Sequence, residues 1–161
     1  MKFICRLSDK LQIFGAYLSS FLFMALTILI MTEIVLRSFF NVSTMIADEY
    51  SGYFYLASVF LGLGYTFKED GHIRINVLTS KFSKSGKRYI DIFAGSITLV
   101  LLTFIFYRSI LLVHDSYSFD MVSETVSETP IYLTQLAMPL GLFLFCLALL
   151  SFILRRITND R

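Results

Sequence analysis

The chain has 161 residues and a formal net charge of +2, with 56% hydrophobic and only 16% charged residues. Its 17 phenylalanines and mean hydropathy of +0.70 argue against an ordinary soluble globular domain. Two distant cysteines, Cys5 and Cys146, argue against a disulfide framework. For a chain of this composition no nucleic-acid partner is expected.

Four apolar segments are long enough to cross a bilayer as helices, which takes roughly 20 residues. They cover residues 11–40, 49–67, 89–113 and 131–154. The links between them are too short for a soluble domain, so the sequence predicts an all-α, polytopic integral membrane protein with one membrane domain over residues 1–161. The first segment lacks a cleavage site, and we interpret it as a retained span.

The first predicted span is longer than a bilayer requires. About 30 residues extend about 45 Å, against a hydrocarbon core of roughly 30 Å, so this helix must tilt or project. Near its end Glu33 and Arg37 lie four residues apart on one face. A structural ion pair is the default interpretation, and a proton or cation site at Glu33 is the alternative.

The second predicted span begins with Asp48 and Glu49, which suit the positive end of a helix dipole. Further along, Ser58 and Gly62 place two small residues on one face. Small residues let helix backbones approach closely in membranes, so this face is expected to contact a neighbouring helix.

The chain leaves the membrane after the second span, where five charged or titratable residues follow within seven positions: Lys68, Glu69, Asp70, His72 and Arg74. Gly71 suits a reversal that places the following side chains at the headgroup level. There Arg74 could bind a lipid phosphate or a protein partner. Residues 73–85 predict a short amphipathic helix in the cytoplasmic interface, with a soluble loop as the alternative.

The outer ends of three spans bring charges to one level. Arg108 lies near the outer end of the third span. We therefore expect a structural charge network there, formed by Glu33, Arg37, Asp48, Glu49 and Arg108.

Two prolines shape the fourth predicted span. Thr129 and Pro130 predict its start, with a hydroxyl cap and proline in the first helical position. Pro139 predicts a kink within it.

Basic residues are segregated along the chain. Twelve of the 14 Lys and Arg residues lie in three places: the N-terminal ten residues, residues 68–88 between the second and third spans, which we call the middle loop, and the C-terminus. Residues 41–48 and 114–130 have no Lys or Arg. Because Lys and Arg near span ends stay in the cytoplasm, both termini and the middle loop are predicted to be cytoplasmic.

Catalytic motifs are missing from the sequence, so no enzyme, cofactor or metal site is expected. The two histidines, His72 and His114, cannot supply paired haem ligands within the bundle. There is also no phosphate loop, zinc-protease motif or nucleophile motif.

Three stretches resemble one family in their order along the chain. They are GYTFKEDGHIRINVL at 64–78, RSFFN at 37–41 followed by Asp48 and Glu49, and Thr129-Pro130 followed by QLAMPLG at 135–141. Together they resemble the small, four-span membrane subunit of tripartite ATP-independent periplasmic (TRAP) transporters. The family often has a Trp before the acidic pair, and this chain has none.

The resemblance implies a transporter in the bacterial inner membrane with three parts. A periplasmic binding protein delivers an organic acid, and a large membrane subunit moves it with sodium. The small subunit supports the large one. The ion and substrate sites then belong to the large subunit, while Gly71, His72 and Arg74 here would contact that partner or membrane lipids. The substrate, whether a C4-dicarboxylate, a sialic or other sugar acid or a sulfonate, stays open.

Two other classes are compatible with a small helical membrane protein. A proton-coupled multidrug exporter would act as a homodimer around Glu33, but its essential acid should lie near mid-span. A haem-carrying anchor subunit would need more histidines than the two present.

Overall fold

The computed structural model describes residues 2–69 and 84–158 of the chain. These residues are almost entirely helical, which confirms the all-α fold class. One isolated antiparallel bridge joins Val122 and Pro130. The elements are α1 (Lys2–Val35), a π-helical turn (Leu36–Phe40), α2 (Ala47–Lys68), α3 (Lys84–Ser118), α4 (Ile131–Gln135) and α5 (Ala137–Thr158).

Three stretches of the described residues are long and apolar enough to cross a membrane: Cys5–Phe40, Arg88–Ser118 and Ile131–Thr158. They correspond to the first, third and fourth predicted spans. Helix α2 is not among them because its tyrosines and glycines lower its hydropathy. Its 22 residues would measure about 33 Å, close to the thickness of a bilayer core. The second span therefore stays a prediction.

The helices extend beyond the predicted spans. Helix α1 begins at Lys2 rather than at residue 11, and α3 ends at Ser118 rather than at residue 113. Hydropathy marks where a helix leaves the bilayer, whereas a helix can continue into water with polar residues. Residues 73–83 of the predicted interfacial helix lie outside the described residues, and residues 84 and 85 belong to α3.

The charged residues at the helix ends lie at two opposite ends of the helical bundle. The start of α1 meets the ends of α2 and α5 at what we call the basic end, where Asp9 pairs with both Lys68 and Arg155. The opposite end, which we call the acidic end, holds Asp48, Glu49 and the acidic loop at residues 119–130. Helices α1 and α2 are therefore antiparallel, as are α3 and α5.

Helix α5 lies at the centre of the packing. It contacts α2 and α3 extensively and α1 to a lesser extent, while α1 packs chiefly on α2. The buried core lies between α3 and α5, where it consists of Leu102, Leu142, Leu149 and Ile153. As a result, α3 is joined to the rest of the chain mainly through α5.

Small residues bring α2 close to both of its neighbours. Ser19 Oγ of α1 donates a 2.6 Å hydrogen bond to the Ser58 carbonyl, and it lies 3.0 Å from where a Cβ on Gly62 would stand. On the other side, Gly141 of α5 faces the Phe60 carbonyl with no room for a Cβ. The close contact predicted for Ser58 and Gly62 is present.

Pro139 divides the last span. A proline nitrogen cannot donate to the carbonyl four residues earlier, which here belongs to Gln135. The helix accordingly breaks at Leu136, between α4 and α5, where the kink was predicted.

The start of α4 differs from the prediction. Pro130 is the cap residue itself, with extended backbone, and no side chain caps the helix. The Thr129 hydroxyl instead donates to Ser127 Oγ at 3.0 Å.

Candidate functional site

Glu33 is the centre of a polar cluster at the acidic end of the bundle. The residue is buried, and its carboxylate accepts hydrogen bonds from Arg37 Nε at 2.6 Å and Ser43 Oγ at 2.7 Å. Thr44 donates through its backbone N–H at 3.2 Å and its hydroxyl at 2.5 Å. Arg37 also reaches Asp48 at 3.5 Å. The ion pair predicted between Glu33 and Arg37 is present, and the cluster joins α1 to α2.

Glu49 is adjacent in sequence but faces the acidic loop. Its carboxylate accepts a 2.5 Å hydrogen bond from the Tyr53 hydroxyl and further bonds from the hydroxyls of Thr125 and Ser127. Nearby, the hydroxyls of Tyr50 and Thr129 lie 3.1 Å apart. These contacts fasten the acidic loop to the first turns of α2.

Arg108 does not join either cluster. Its side chain is exposed, and within residues 2–69 and 84–158 it forms no ion pair. Helix α3 packs on α5 and α4, so it lies away from Glu33 on α1 and from Arg37 in the π-helical turn. The predicted network across three helices is thus two separate clusters, which link α1 with α2 and α2 with the acidic loop.

A second set of ion pairs closes the basic end and was not predicted from the sequence. Asp9 pairs with Arg155 at 2.7 Å and with Lys68 at 3.8 Å, so one carboxylate joins α1, α2 and α5. Asp91 pairs with Arg156 at 3.0 Å, which joins α3 to α5. The signal was available in the sequence, since Asp9 precedes Lys10 and Asp91 follows Arg88 by three residues, both near predicted span ends.

Polar side chains on α1 also reach into the apolar part of the bundle. Gln12 Nε2 donates a 2.7 Å hydrogen bond to the Leu144 carbonyl, and Ser8 Oγ donates to the Leu147 carbonyl at 3.3 Å. Gln12 is only 1% exposed, and its Oε1 lies against Gly64 without a hydrogen-bond partner. These bonds hold α1 on α5, and a lone amide in an apolar helix is the sequence signal for them.

In the part of the chain that the structure describes, two long helix faces are apolar and exposed. Helix α1 presents Phe14, Tyr17, Phe21, Met24 and Ile28, at successive spacings of three and four residues. Helix α3 presents a similar face, formed by Phe93, Ile97, Val100, Phe104 and Tyr107. In a membrane, such faces contact lipid or another protein.

The predicted contact residues of the middle loop, Gly71, His72 and Arg74, lie outside the described residues. Their role stays a prediction.

Comparison with protein-family models identifies the family of the chain. The family model for tripartite ATP-independent periplasmic transporters, DctQ component, matches residues 26–159. The chain belongs to this family. DctQ proteins are transporter components, so this one is a transport protein of the membrane and not an enzyme. No curated protein matches it.

The DctQ match confirms the family resemblance derived from the three sequence stretches. It includes both clusters of the acidic end, the middle loop and the proline-containing fourth span. Asp9 and Gln12 precede the matched region. Membership in this family indicates that the chain is part of a tripartite assembly. It favours a transporter component over the multidrug exporter and the haem-carrying anchor.

Proposed function

We propose that this DctQ chain is the small subunit of a sodium-coupled TRAP transporter that imports an organic acid, either a carboxylate or a sulfonate, delivered by a periplasmic binding protein. It lies in the bacterial inner membrane with four spans, including α2, and with both termini in the cytoplasm. Its part is to bind and stabilise the large membrane subunit, in which the ion and substrate sites lie.

The exposed apolar faces of α1 and α3 are the observation that supports this role. Helices in lipid associate through close packing and polar contacts rather than through exclusion from water. The chain has already used its small and polar residues, such as Ser19, Gly62 and Gly141, to assemble α1, α2 and α5. The bulky faces of α1 and α3 are therefore available to a large membrane partner.

The surroundings of Glu33 support a structural role for this carboxylate. A proton carrier must exchange its proton with water on alternate sides of the membrane. Glu33 instead accepts four hydrogen bonds from Arg37, Ser43 and Thr44 and lies at the acidic end rather than mid-span. Protonation would break its ion pair with Arg37, so a fixed link between α1 and α2 is the better account.

Reconstitution tests the proposal. The chain is co-expressed with the large membrane subunit of its proposed transporter, which we call the permease, and purified by a tag on the chain alone. The complex is then placed in vesicles with the binding protein added outside. We expect the permease to co-purify, and uptake of an organic acid to need all three proteins and an inward sodium gradient. Purification of a stable homodimer with drug-dependent proton uptake would contradict the proposal.

Photo-crosslinking locates the partner surface in the same preparation. A photoreactive amino acid replaces Tyr17 on α1 or Phe104 on α3, both of which are exposed. Tyr55, exposed on α2, serves as the control position. We expect a strong crosslink to the permease from Tyr17 or Phe104 and a weak one from Tyr55.

A further inference from the structure

We propose that the segment between α1 and α2, residues 38–46, lies in the boundary between headgroups and acyl chains of the leaflet at the acidic end, with lipid as its partner. We call this segment the outer hairpin. Its apolar side chains are between 40% and 78% exposed: Phe39, Phe40, Val42, Met45 and Ile46. The proposal concerns the membrane placement of the chain and does not depend on what the transporter carries.

Polar and apolar side chains lie on opposite sides of the hairpin, because Glu33 binds the polar ones. The hydroxyls of Ser43 and Thr44 turn towards the Glu33 carboxylate, as does the Thr44 backbone N–H. Because these polar groups point inward, the apolar side chains on either side of them point outward. The result is a short amphipathic surface built without a regular helix.

Local contacts fix the shape of the hairpin. Asn41 ends the π-helical turn in the left-handed region, with φ of 52°, and its backbone N–H donates to the Leu36 carbonyl. Met45 also has a positive φ of 58°, and its N–H bonds to Ser43 Oγ at 3.2 Å. A methionine rarely adopts this conformation without support from its surroundings. The outward apolar side chains are therefore a property of a defined turn.

Helix lengths give the depth of the hairpin. Asp9 and Lys68 form an ion pair, so they lie at the same level at the basic end. From there α2 rises about 33 Å to Ala47, which matches a hydrocarbon core of roughly 30 Å. The hairpin joins Ala47 directly, and Arg37 just before it pairs with Asp48 in the first turn of α2. The hairpin therefore lies at the boundary between the hydrocarbon core and the headgroups.

Charge separates the outer hairpin from its neighbour, the acidic loop. Residues 38–47 contain no charged side chain, whereas the acidic loop contains Asp120, Glu124 and Glu128. Charges are costly to bring towards hydrocarbon, so the acidic loop belongs in water and the neutral hairpin can enter the interface. The hairpin also continues the exposed apolar face of α1. The lipid surface is thus the partner that its chemistry fits.

The absence of tryptophan from the sequence gives a direct test, since one introduced tryptophan is the only one in the chain. Phe40→Trp and Val42→Trp report on the hairpin, and both replace exposed side chains. Phe21→Trp, on the exposed face of α1, is the lipid control, and Val126→Trp, exposed on the acidic loop, is the water control. Each full-length variant is placed in phosphatidylcholine vesicles, with or without brominated acyl chains.

For both hairpin variants we expect emission at shorter wavelength than for Val126→Trp, quenching by brominated lipid, and a severalfold loss of acrylamide quenching relative to Val126→Trp. Emission and quenching equal to those of Val126→Trp would show a hairpin in water and overturn the proposal. Using two hairpin positions guards against a local defect in one variant.

A second arm distinguishes lipid from a protein partner in the assembled transporter. Phe40→Cys, in a chain with Cys5→Ser and Cys146→Ala, carries a fluorophore whose emission is separate from that of tryptophan. We expect quenching by spin-labelled lipid to persist after the permease and binding protein are added. Loss of this quenching on assembly would show that protein covers the hairpin and would overturn the proposal.

Discussion

Asp9 and Arg155 are 146 positions apart in the sequence and form a 2.7 Å ion pair that joins the first helix to the last. The same carboxylate reaches Lys68 at the end of α2. Three of the four long helices within residues 2–69 and 84–158 are therefore held at the basic end by one side chain. Asp9 is also the only acidic residue among the first 30 residues, so no neighbour can replace it.

Replacing Asp9 should loosen this end of the bundle. Because Asp9 and Arg155 are partly exposed, Asp9→Ala should lower the free energy of unfolding by only about 1 kcal/mol. Thermal unfolding in detergent, followed by circular dichroism, measures the effect. Asp115→Ala, which removes an exposed acid near His114 alone, is the matched control and should change little. If Asp9→Ala costs the same in an Arg155→Ala background, the two residues are not coupled.

A side chain at Gly64 should be costly while Gln12 holds its hydrogen bond to the Leu144 carbonyl. An added Cβ would meet the Gln12 amide, so Gly64→Ala should destabilise the chain by about 1–3 kcal/mol. In a Gln12→Ala background the same substitution should cost much less, because the obstructing amide is gone. A double-mutant cycle on thermal unfolding reports this coupling. Gly52→Ala, where a Cβ meets nothing within 4 Å, is the control.

Removing the charge of Glu33 should weaken the acidic end without altering ion coupling. In Glu33→Gln, an amide oxygen in the place of Oε2 can keep both bonds from Thr44, while the amide NH₂ then faces Arg37 and Ser43, so Arg37 loses its close partner. We expect destabilisation of about 1–3 kcal/mol and reduced yield of the assembled transporter. Uptake per assembled complex should keep the pH dependence of the unaltered protein, which proteoliposome assays measure. Glu124→Gln on the exposed acidic loop is the control. A changed pH dependence of uptake in Glu33→Gln but not in Glu124→Gln would favour the proton-coupled exporter instead.

Thiol labelling in intact cells should give opposite results at the two ends. Glu124→Cys and Val126→Cys on the acidic loop should react with an impermeant maleimide, whereas Lys10→Cys at the basic end should react only after lysis. All three positions are exposed in the structure. Labelling of Lys10→Cys before lysis would reverse the proposed topology.

The features that the sequence predicted are those determined by local spacing or by composition. Glu33 and Arg37 had to meet because four residues make about one helical turn, and Ser58 and Gly62 had to form a small face for the same reason. Pro139 broke its helix because proline has no N–H to donate. Long apolar segments likewise identified three spans from composition alone.

The features that the sequence did not predict depend on which helices are neighbours. Helical periodicity says that Arg108 lies on one face of α3, but not that α5 separates this helix from α1. Asp9 and Gln12 could be recognised as polar exceptions, yet their partners on α2 and α5 follow only from the order of packing. For helix α2 the difficulty is its composition. Its tyrosines and glycines lower its hydropathy, so a long helix is present that hydropathy alone does not mark as a membrane span.

The position of α5 between α2 and α3 has a consequence for how the chain bears force. Displacement applied to the face of α1 reaches the face of α3 mainly through α5, so the contacts behave as springs in series. In such an arrangement the compliances add, and the softer contact sets the stiffness of the whole. Helix α3 meets α5 through Leu102, Leu149 and Ile153 and the pair of Asp91 with Arg156. Changes along this seam should alter the stiffness of the subunit between its two flanks more than changes of similar size elsewhere.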